Sequence, residues 1–379
     1  MYNTRRPERR TRMKSEPIIT TERLTLHEME QSDFPALCTM LQDPEVMYAW
    51  ERCFPDEEVR AWIDRNGKRY QEHGCGYWLA VSRDSGEVVG QIGLIPEEIE
   101  GHSHSGVGWL LARKHWHNGY AAEGAKACLD HAFSDRKTGR VIADIRPMNT
   151  NSIRVAERIG MIAAGEYDKL VGGVIMPHRL YYARTPEVEV NDYDPVWLKR
   201  FEQLRTHLSP VLETFGGRLE HVGSTSIAGL AAKPVIDADY LLPDAALWPQ
   251  VKAVLEPLGF FHRGNGDLPG REMFTESLQL EFRHNFYVCM PDCIHASNHL
   301  RLRDFLRGNA EAARQYGALK KRLAAQYPND VDRYCAGKSD LISAFLSQTG
   351  MSADAVAMIN GINKTLPQRP CRNIPEKES

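Results

Sequence analysis

The chain has 379 residues, 42% of them hydrophobic, and a formal charge of -3 at pH 7. That length favours two domains, and the ordinary apolar content lets each bury a core. The balance of charge gives no electrostatic case for nucleic acid as the main partner, and no apolar run is long enough to span a bilayer.

The arginine-rich stretch from Arg5 to Lys14 leads into no apolar segment of the signal-peptide kind. It is either a basic arm for nucleic acid or a disordered leader, with Met13 as an alternative start. The 8 cysteines form no Cys-x-x-Cys pair and read as reduced thiols of a cytoplasmic protein. Cys289 and Cys293 lack the spacing and partners of a zinc site.

The periodic pattern begins near Ile18 with a strand at Leu24–Met29. Asp33 can cap a helix running to Leu41, and Pro55-Asp-Glu-Glu58 opens a second that reaches Glu72. Tyr77–Ser82, Val88–Ile95 and Val107–Leu111 alternate as strands, the first two joined by a turn at Asp84-Ser-Gly86. A helix from Tyr120 to about Arg136, a buried strand at Val141–Ile145 and a short helix at Ser152–Ile159 come next. Strands at Ala164–Asp168 and Arg179–Ala183 end the first half. Thr185-Pro-Glu187 marks the boundary. Pro195 then suits the first turn of a helix that Gly216-Gly217 stops. Alternating strands and helices lead to Tyr287, and three polar helices (297–307, 310–326 and 331–348) close the chain. These limits divide it into a leader (1–17), a first domain (18–184), a linker (185–192), a second domain (193–350) and a tail (351–379).

Two places carry chemistry. In the first half, strand 107–111 feeds a short loop into Asn118-Gly-Tyr-Ala-Ala122. Unpaired N–H groups at such a helix start, beside a glycine, suit a pyrophosphate, though many helices begin this way and bind nothing. In the second half, a strand ending at Val222 runs into the Gly223-Ser224 turn. The next strand carries Asp237 and Asp239, whose side chains share one face. Paired carboxylates beside a small-residue turn suit a magnesium-bound triphosphate.

The first half resembles the GNAT N-acetyltransferases. Asp43-Pro-Glu-Val-Met47, Gly90-Gln-Ile-Gly93, Trp116–Glu123 and Asn149-x-x-Ser152 through Arg158-Ile-Gly-Met161 carry the likeness, which is nearest to the ribosomal-protein-acetylating branch. The resemblance implies a mixed α/β sheet with acetyl-CoA between splayed strands. Asn118, Gly119, Tyr120, Ala121 and Ala122 would hold the pyrophosphate. Leu110 and Leu111 would line the pantetheine arm, and Asn149, with Ser152 in the same motif, would meet the cofactor near its thiol end. The acceptor would be an amine of a small molecule or a protein N-terminus.

This chain departs from the family pattern at the usual acid and base. Ala156 stands where many members carry tyrosine, and Gly106 where many carry glutamate. Glu123 is a candidate base or a carboxylate favouring the first helical turn. His104, with His102, is a candidate relay on a polar loop or simply solvated. Glu45, Glu51, Asp56, Glu57 and Glu58 either attract a cationic acceptor or form a solvated face. Tyr48 and Trp50 either wall the acceptor pocket or pack the core.

Residues 189–349 resemble the GrpB family through Tyr193-Asp-Pro-x-Trp197, Glu220–Asp239, Arg283-His-Asn-Phe-Tyr-Val288, Arg303-Asp-Phe-Leu-Arg307, Tyr316-x-x-Leu-Lys320 and Lys338. This implies a minimal nucleotidyltransferase-type α/β domain with C-terminal helices. Asp237, Asp239 and Glu281 would hold Mg2+. Gly223, Ser224 and Lys233 would hold the phosphates of a nucleoside triphosphate. Alternatively, the half is a non-catalytic module that binds a nucleotide or the substrate, with Arg271, Arg283 and His284 pairing Asp237 and Asp239 without a metal. The first half could likewise sense CoA rather than react with it.

Overall fold

The computed structural model describes residues 16–365 apart from 100, 137, 172, 186 and 267. The basic segment 5–14 and the end of the tail lie outside the described residues. Contacts divide the chain into two compact units. The first comprises the described residues up to Met161 with Glu166–Thr185; the second comprises the described residues after Thr185 with the short run Ile162–Gly165. No described helix is long and apolar enough to cross a membrane.

The first half runs β1 (Ile19–Thr20), β2 (Leu24–His27), α1 (Phe34–Leu41), α2 (Asp56–His73), β3 (Tyr77–Ser82), β4 (Val88–Ile99), β5 (His102–Leu111), α3 (Tyr120–Ser134), β6 (Arg140–Ile145), α4 (Thr150–Arg158), β7 (Ile162–Val171) and β8 (Val174–Arg184). Its sheet has the order β1-β2-β3-β4-β5-β6-β8-β7. Alternation sends Leu79, Val81 and Gln91 to the face covered by α1 and α2, where Trp62 Nε1 donates to Gln91 Oε1 at 2.8 Å. Leu24 and Ile92 point the other way, and α3 lies so close there that a Cβ on its Gly124 would meet Ile92 Cδ1 at 2.4 Å.

The β5–β6 ladder positions the site. It is parallel, and only Ser105↔Val141 and Gly106↔Ile142 pair. Beyond Gly106 the two strands part. Residues 107–111 keep their bonds to β4 while 143–145 keep theirs to β8. A V-shaped gap therefore opens, and the facing edges of the two strands are not paired with each other there.

The glycines of Gly90-Gln-Ile-Gly93 have a packing reason. A Cβ on Gly90 would lie 2.5 Å from the Leu110 carbonyl, and one on Gly93 2.0 Å from the Gly76 carbonyl. Neighbouring backbone, not a special φ, excludes a side chain at both.

The second half runs α5 (Val196–Leu212), β9 (Arg218–Val222), β10 (Ile236–Leu241), α6 (Trp248–Leu255), β11 (Arg271–Met273), β12 (His284–Cys289), α7 (Ile294–Gly308), α8 (Ala310–Gln326), α9 (Val331–Ala336), α10 (Ser339–Ser347) and α11 (Ala353–Thr365). The sheet order is β11-β12-β10-β9, with β10 parallel to β12 and antiparallel to β9. Trp197, Leu204 and Leu208 of α5 pack with Val251 and Leu255 of α6 on Ile236, Ala238 and Phe286. A separate apolar cluster joins α7, α8, α10 and α11.

Four expectations change. The β4–β5 hairpin is longer than the alternation predicts, so His102 and His104 stand on a strand, not a loop. Asp33 does not cap α1; it accepts from the Glu30 N–H at 2.9 Å and closes the turn before it. The last predicted helix breaks into α9 and α10 at Gly337, where a Cβ would meet Leu323 at 2.6 Å. Much of the expected tail is α11, with Val356 and Ile359 buried.

Two glycine substitutions should move stability in opposite directions. Gly93→Ala forces a methyl onto the Gly76 carbonyl and should cost about 1–3 kcal/mol. Gly67→Ala, inside α2 with nothing within 4 Å of the added carbon, should stabilise by about 0.5–1 kcal/mol. Urea denaturation of both variants checks this, and a neutral Gly93→Ala would refute the packing reason.

Candidate functional site

In the connection from β5 to α3, Trp116 Nε1 donates to the Leu111 carbonyl at 3.0 Å. His117 and Gly119 both take positive φ, 62° and 79°. Such a left-handed path turns successive N–H groups toward one concavity. Gly119 is the N-cap of α3 and offers no side-chain cap; the first helical bond runs from Glu123 N–H to the Gly119 carbonyl. The amides of Tyr120, Ala121 and Ala122 thus lack helical acceptors. All three residues are half-buried.

Glu123 is engaged by three hydrogen bonds. Its Oε1 accepts from Thr21 Oγ1 at 2.6 Å and from the Arg23 N–H at 2.9 Å, and its Oε2 accepts from Arg23 Nε at 2.7 Å. Partial burial pushes this carboxyl up, but the Thr21 and Arg23 hydrogen bonds outweigh it and hold the pKa below the usual range. A carboxylate so engaged has no reason to take a proton near neutrality. It steers Arg23 instead. The guanidinium bonds the Asn118 carbonyl at 3.0 Å and lies 4.8 Å above the Tyr120 ring, directly beside the uncapped amides. Arg23 escaped the sequence reading because it lies 96 residues before Gly119.

Asn149 Oδ1 accepts from the Ser152 N–H at 3.1 Å, capping α4, and from Tyr48 Oη at 2.8 Å. Ser152 Oγ accepts from Trp109 Nε1 at 3.2 Å. These residues tie β5, α4 and the α1–α2 connection together at the gap. Leu110 packs partly buried under α2, and Leu111 is buried.

The acidic cluster of the acceptor side is largely paired off. Arg113 pairs with Glu45 at 2.5 Å, Arg146 with Glu51 at 2.8 Å and Arg52 with Glu58 at 2.7 Å. The rings of Trp50, Phe54 and Trp62 instead meet edge to face, and Trp62 lies 5.3 Å from Tyr77. Together with Trp109 and Leu110 they line a cleft.

A partly buried carboxylate pair absent from the sequence reading flanks the apex of the gap. Glu97 of β4 reaches over Gly106, so that a Cβ there would touch Glu97 Cγ at 2.7 Å. Asp144 of β6 stands on the other side. Lys169 of β7 joins them, with Nζ at 3.0 Å from Glu97 and 2.5 Å from Asp144. One ammonium serves two acids. Burial and the Asp144 charge push Glu97 up. Burial also disfavours the Asp144 anion, but Lys169 overrides it and holds that pKa down. His104 stands opposite Glu97 in the β4–β5 register. Burial, with Arg140 nearby, lowers its pKa to about 4, and its Nε2 has no partner.

In the second half, Gly223 takes a φ of 67°, and a Cβ on it would lie 2.2 Å from Asp237 Oδ2. The turn and the carboxylate are therefore in contact. Ser224 begins the following helical turn and hydrogen-bonds Tyr316. Lys233 and Lys338 lie 5.4 and 4.4 Å from the Tyr334 ring, and Lys320 lies 4.5 Å from that of Tyr316. Lys320 is 2% exposed, and its Nζ has no partner. Burial, then the Lys338 charge, lowers Lys233 to about 8 and also holds Lys320 well below the usual lysine range. Asp237 is the carboxylate that offsets all three.

The predicted third metal carboxylate is a correction. The β12 residue beside Asp237 is Asn285, whose Nδ2 donates to Asp237 Oδ1 at 2.7 Å. Glu281 lies before β12 in an exposed bend, outside the strand on which the prediction placed it. Arg271 and His284 do not pair the aspartates either. Arg271 bonds the Asn265 carbonyl, and His284 the Phe282 carbonyl and the Ser277 N–H. Arg303 and Arg307 serve the loop, bonding the His221 and Ser226 carbonyls. Asp239 faces α7, where His299 Nδ1 sits 3.0 Å from its Oδ2. Magnesium wants about six oxygens in octahedral array. Asp237 committed to an amide and Asp239 committed to imidazole do not fit it.

Comparison with known proteins agrees with these two halves. The Acetyltransferase (GNAT) domain family matches residues 23–162, and the GrpB protein family residues 187–348. The uncharacterized protein YkkB of Bacillus subtilis is 39% identical over 150 residues, covering 39% of this chain and 87% of that protein. The UPF0157 protein PA4798 of Pseudomonas aeruginosa is 35% identical over 165 residues, covering 42% of this chain and 67% of that protein. YnaD of Bacillus subtilis, named an uncharacterized N-acetyltransferase, is 30% identical over 154 residues, covering 40% and 87%. Sheet, gap and matches converge: the chain belongs to the GNAT acetyltransferases through its first half and to the GrpB family through its second.

Proposed function

We propose that the first half transfers acetyl from acetyl-CoA to a primary amine of a small molecule or a protein N-terminus. The observation that carries this is the open β5–β6 gap beside the uncapped start of α3. The helix start and Arg23 supply N–H donors and positive charge for a pyrophosphate. The free edge of residues 107–111 offers backbone groups to an extended, amide-bearing arm. The amine attacks the thioester carbonyl; the C–N bond forms, the C–S bond breaks, and the thiolate leaves. Holding amine and thioester together supplies most of the gain.

The attacking amine must lose a proton, and Glu97 is the acceptor in this reading. It occupies the space that Gly106 leaves empty, and its raised pKa suits a base working near neutrality. The net negative charge of Glu97, Asp144 and Lys169, beside the aromatic cleft, favours a cationic amine.

For the second half, the lysine cluster favours a module that binds a phosphorylated ligand, such as a nucleoside triphosphate, over a magnesium-dependent nucleotidyltransferase. Three lysines gather around Asp237, burial disfavours the charged form of two of them, and a polyanion would restore it.

Calorimetry should detect acetyl-CoA binding to the full chain, and Arg23→Ala should weaken it by about tenfold, the loss of a charge-assisted contact. No heat with acetyl-CoA would sink the transferase reading. Glu97→Gln should lower kcat by about 100-fold or more while leaving acetyl-CoA affinity in place. In the parent, activity falls as pH drops through the raised Glu97 pKa, so the acid limb lies above the ordinary glutamate range; the variant should lack it. For the second half, Lys320→Met should raise the Tm of the ligand-free protein by removing a buried amine that has no hydrogen-bond partner, yet abolish any thermal shift given by tripolyphosphate. A retained shift would count against the lysine cluster.

A further inference from the structure

Asp239 sits on the central strand β10 and is 0% exposed. His299 takes its Oδ2, but Oδ1 has no hydrogen-bond partner. Across from it stands His295 Nε2, also buried and also without a partner, at 4.0 Å. His295 and His299 are one helical turn apart on α7, so they share a face, and their ring centroids are 3.9 Å apart. The nearest ligand atoms of Asp239, His295 and His299 all lie within 4.8 Å of one another.

Two unpartnered, solvent-shielded polar atoms facing each other need something between them. A shared proton would draw them to a hydrogen-bond distance of about 2.7–3.2 Å, and 4.0 Å is too long. A metal with bonds of about 2.0–2.1 Å to each spans about 3–4.2 Å, depending on the angle. The separation falls inside that interval. Two imidazoles and one carboxylate are the donor set of first-row transition ions, zinc above all, rather than of magnesium.

We propose that Asp239, His295 and His299 form a mononuclear site for a divalent first-row transition ion. Tyr287 walls it, with its ring 4.9 Å from that of His295. Arg271 is engaged by carbonyl bonds to Asn265 and Gly266 and lies against the Tyr287 ring, at 5.4 Å. The site is distinct from the lysine cluster, which gathers around Asp237. It goes beyond the acetyl-transfer and phosphate-binding readings and stands if either fails.

The test uses the full chain, stripped with a chelator and titrated with Co2+ while visible absorption is followed. One Co2+ per chain should bind in a site of low coordination number, Zn2+ should displace it, and excess Mg2+ should not. His295→Ala and Asp239→Asn should each weaken Co2+ by about 100-fold or more. His295→Gln preserves volume and serves if the alanine variant fails to fold by circular dichroism. Absence of Co2+ binding at micromolar concentration would overturn the proposal. So would an unchanged spectrum in the variants, or sulfur charge-transfer bands that move the metal to Cys289 and Cys293.

Discussion

In each half, a glycine lies directly against a carboxylate, and the site depends on that contact. A Cβ on Gly106 would strike Glu97, and one on Gly223 would strike Asp237. Without the first glycine, Glu97 could not reach the apex of the β5–β6 gap. Without the second, the β9 turn could not close on the strand that carries both aspartates. The two glycines differ in kind. Gly106 is required by space, whereas Gly223 also needs a left-handed φ of 67°.

Charge is then left unbalanced where it is buried. Lys169 must neutralise both Glu97 and Asp144, while Lys233, Lys320 and Lys338 share Asp237. In a low-dielectric setting each surplus charge costs free energy unless a ligand of opposite sign completes it. The first half thus favours a cation next to its gap and the second an anion next to its turn. The Glu123–Arg23 pair is different: it is matched, and it serves to aim a guanidinium at the helix start. The folded-state pKa of Glu123 is depressed, so its contribution is present above the unfolded carboxyl pKa and is lost as pH falls through the lower folded value.

Local pattern was a good guide wherever the answer depended on neighbours in the chain. Gly119 before an alanine-rich helix and Asp237 two residues before Asp239 are local facts, and both stand where alternation and helix-start chemistry put them. Pattern placed Glu123 in the first helical turn but could not show its partners, because Thr21 and Arg23 come from another strand region. It failed for Glu281, because the strand begins after that residue and brings Asn285 to Asp237 instead. The departure at Gly106 was visible, but its compensation by Glu97 was not, since the two meet only through cross-strand register.

The sequence by itself determined the two-part architecture, the turn and helix-start glycines, and the carboxylates sharing one face of β10, because periodicity and backbone sterics act over a few residues. Tertiary structure alone decided which charges meet. Strand order places Glu97, Asp144 and Lys169 around one gap, helix packing buries Lys320, and the docking of α7 divides the aspartates, turning Asp239 toward two histidines and leaving Asp237 among lysines. Those groupings arise from contacts between elements distant in the chain, where electrostatics depends on spatial separation and burial rather than on spacing along the backbone.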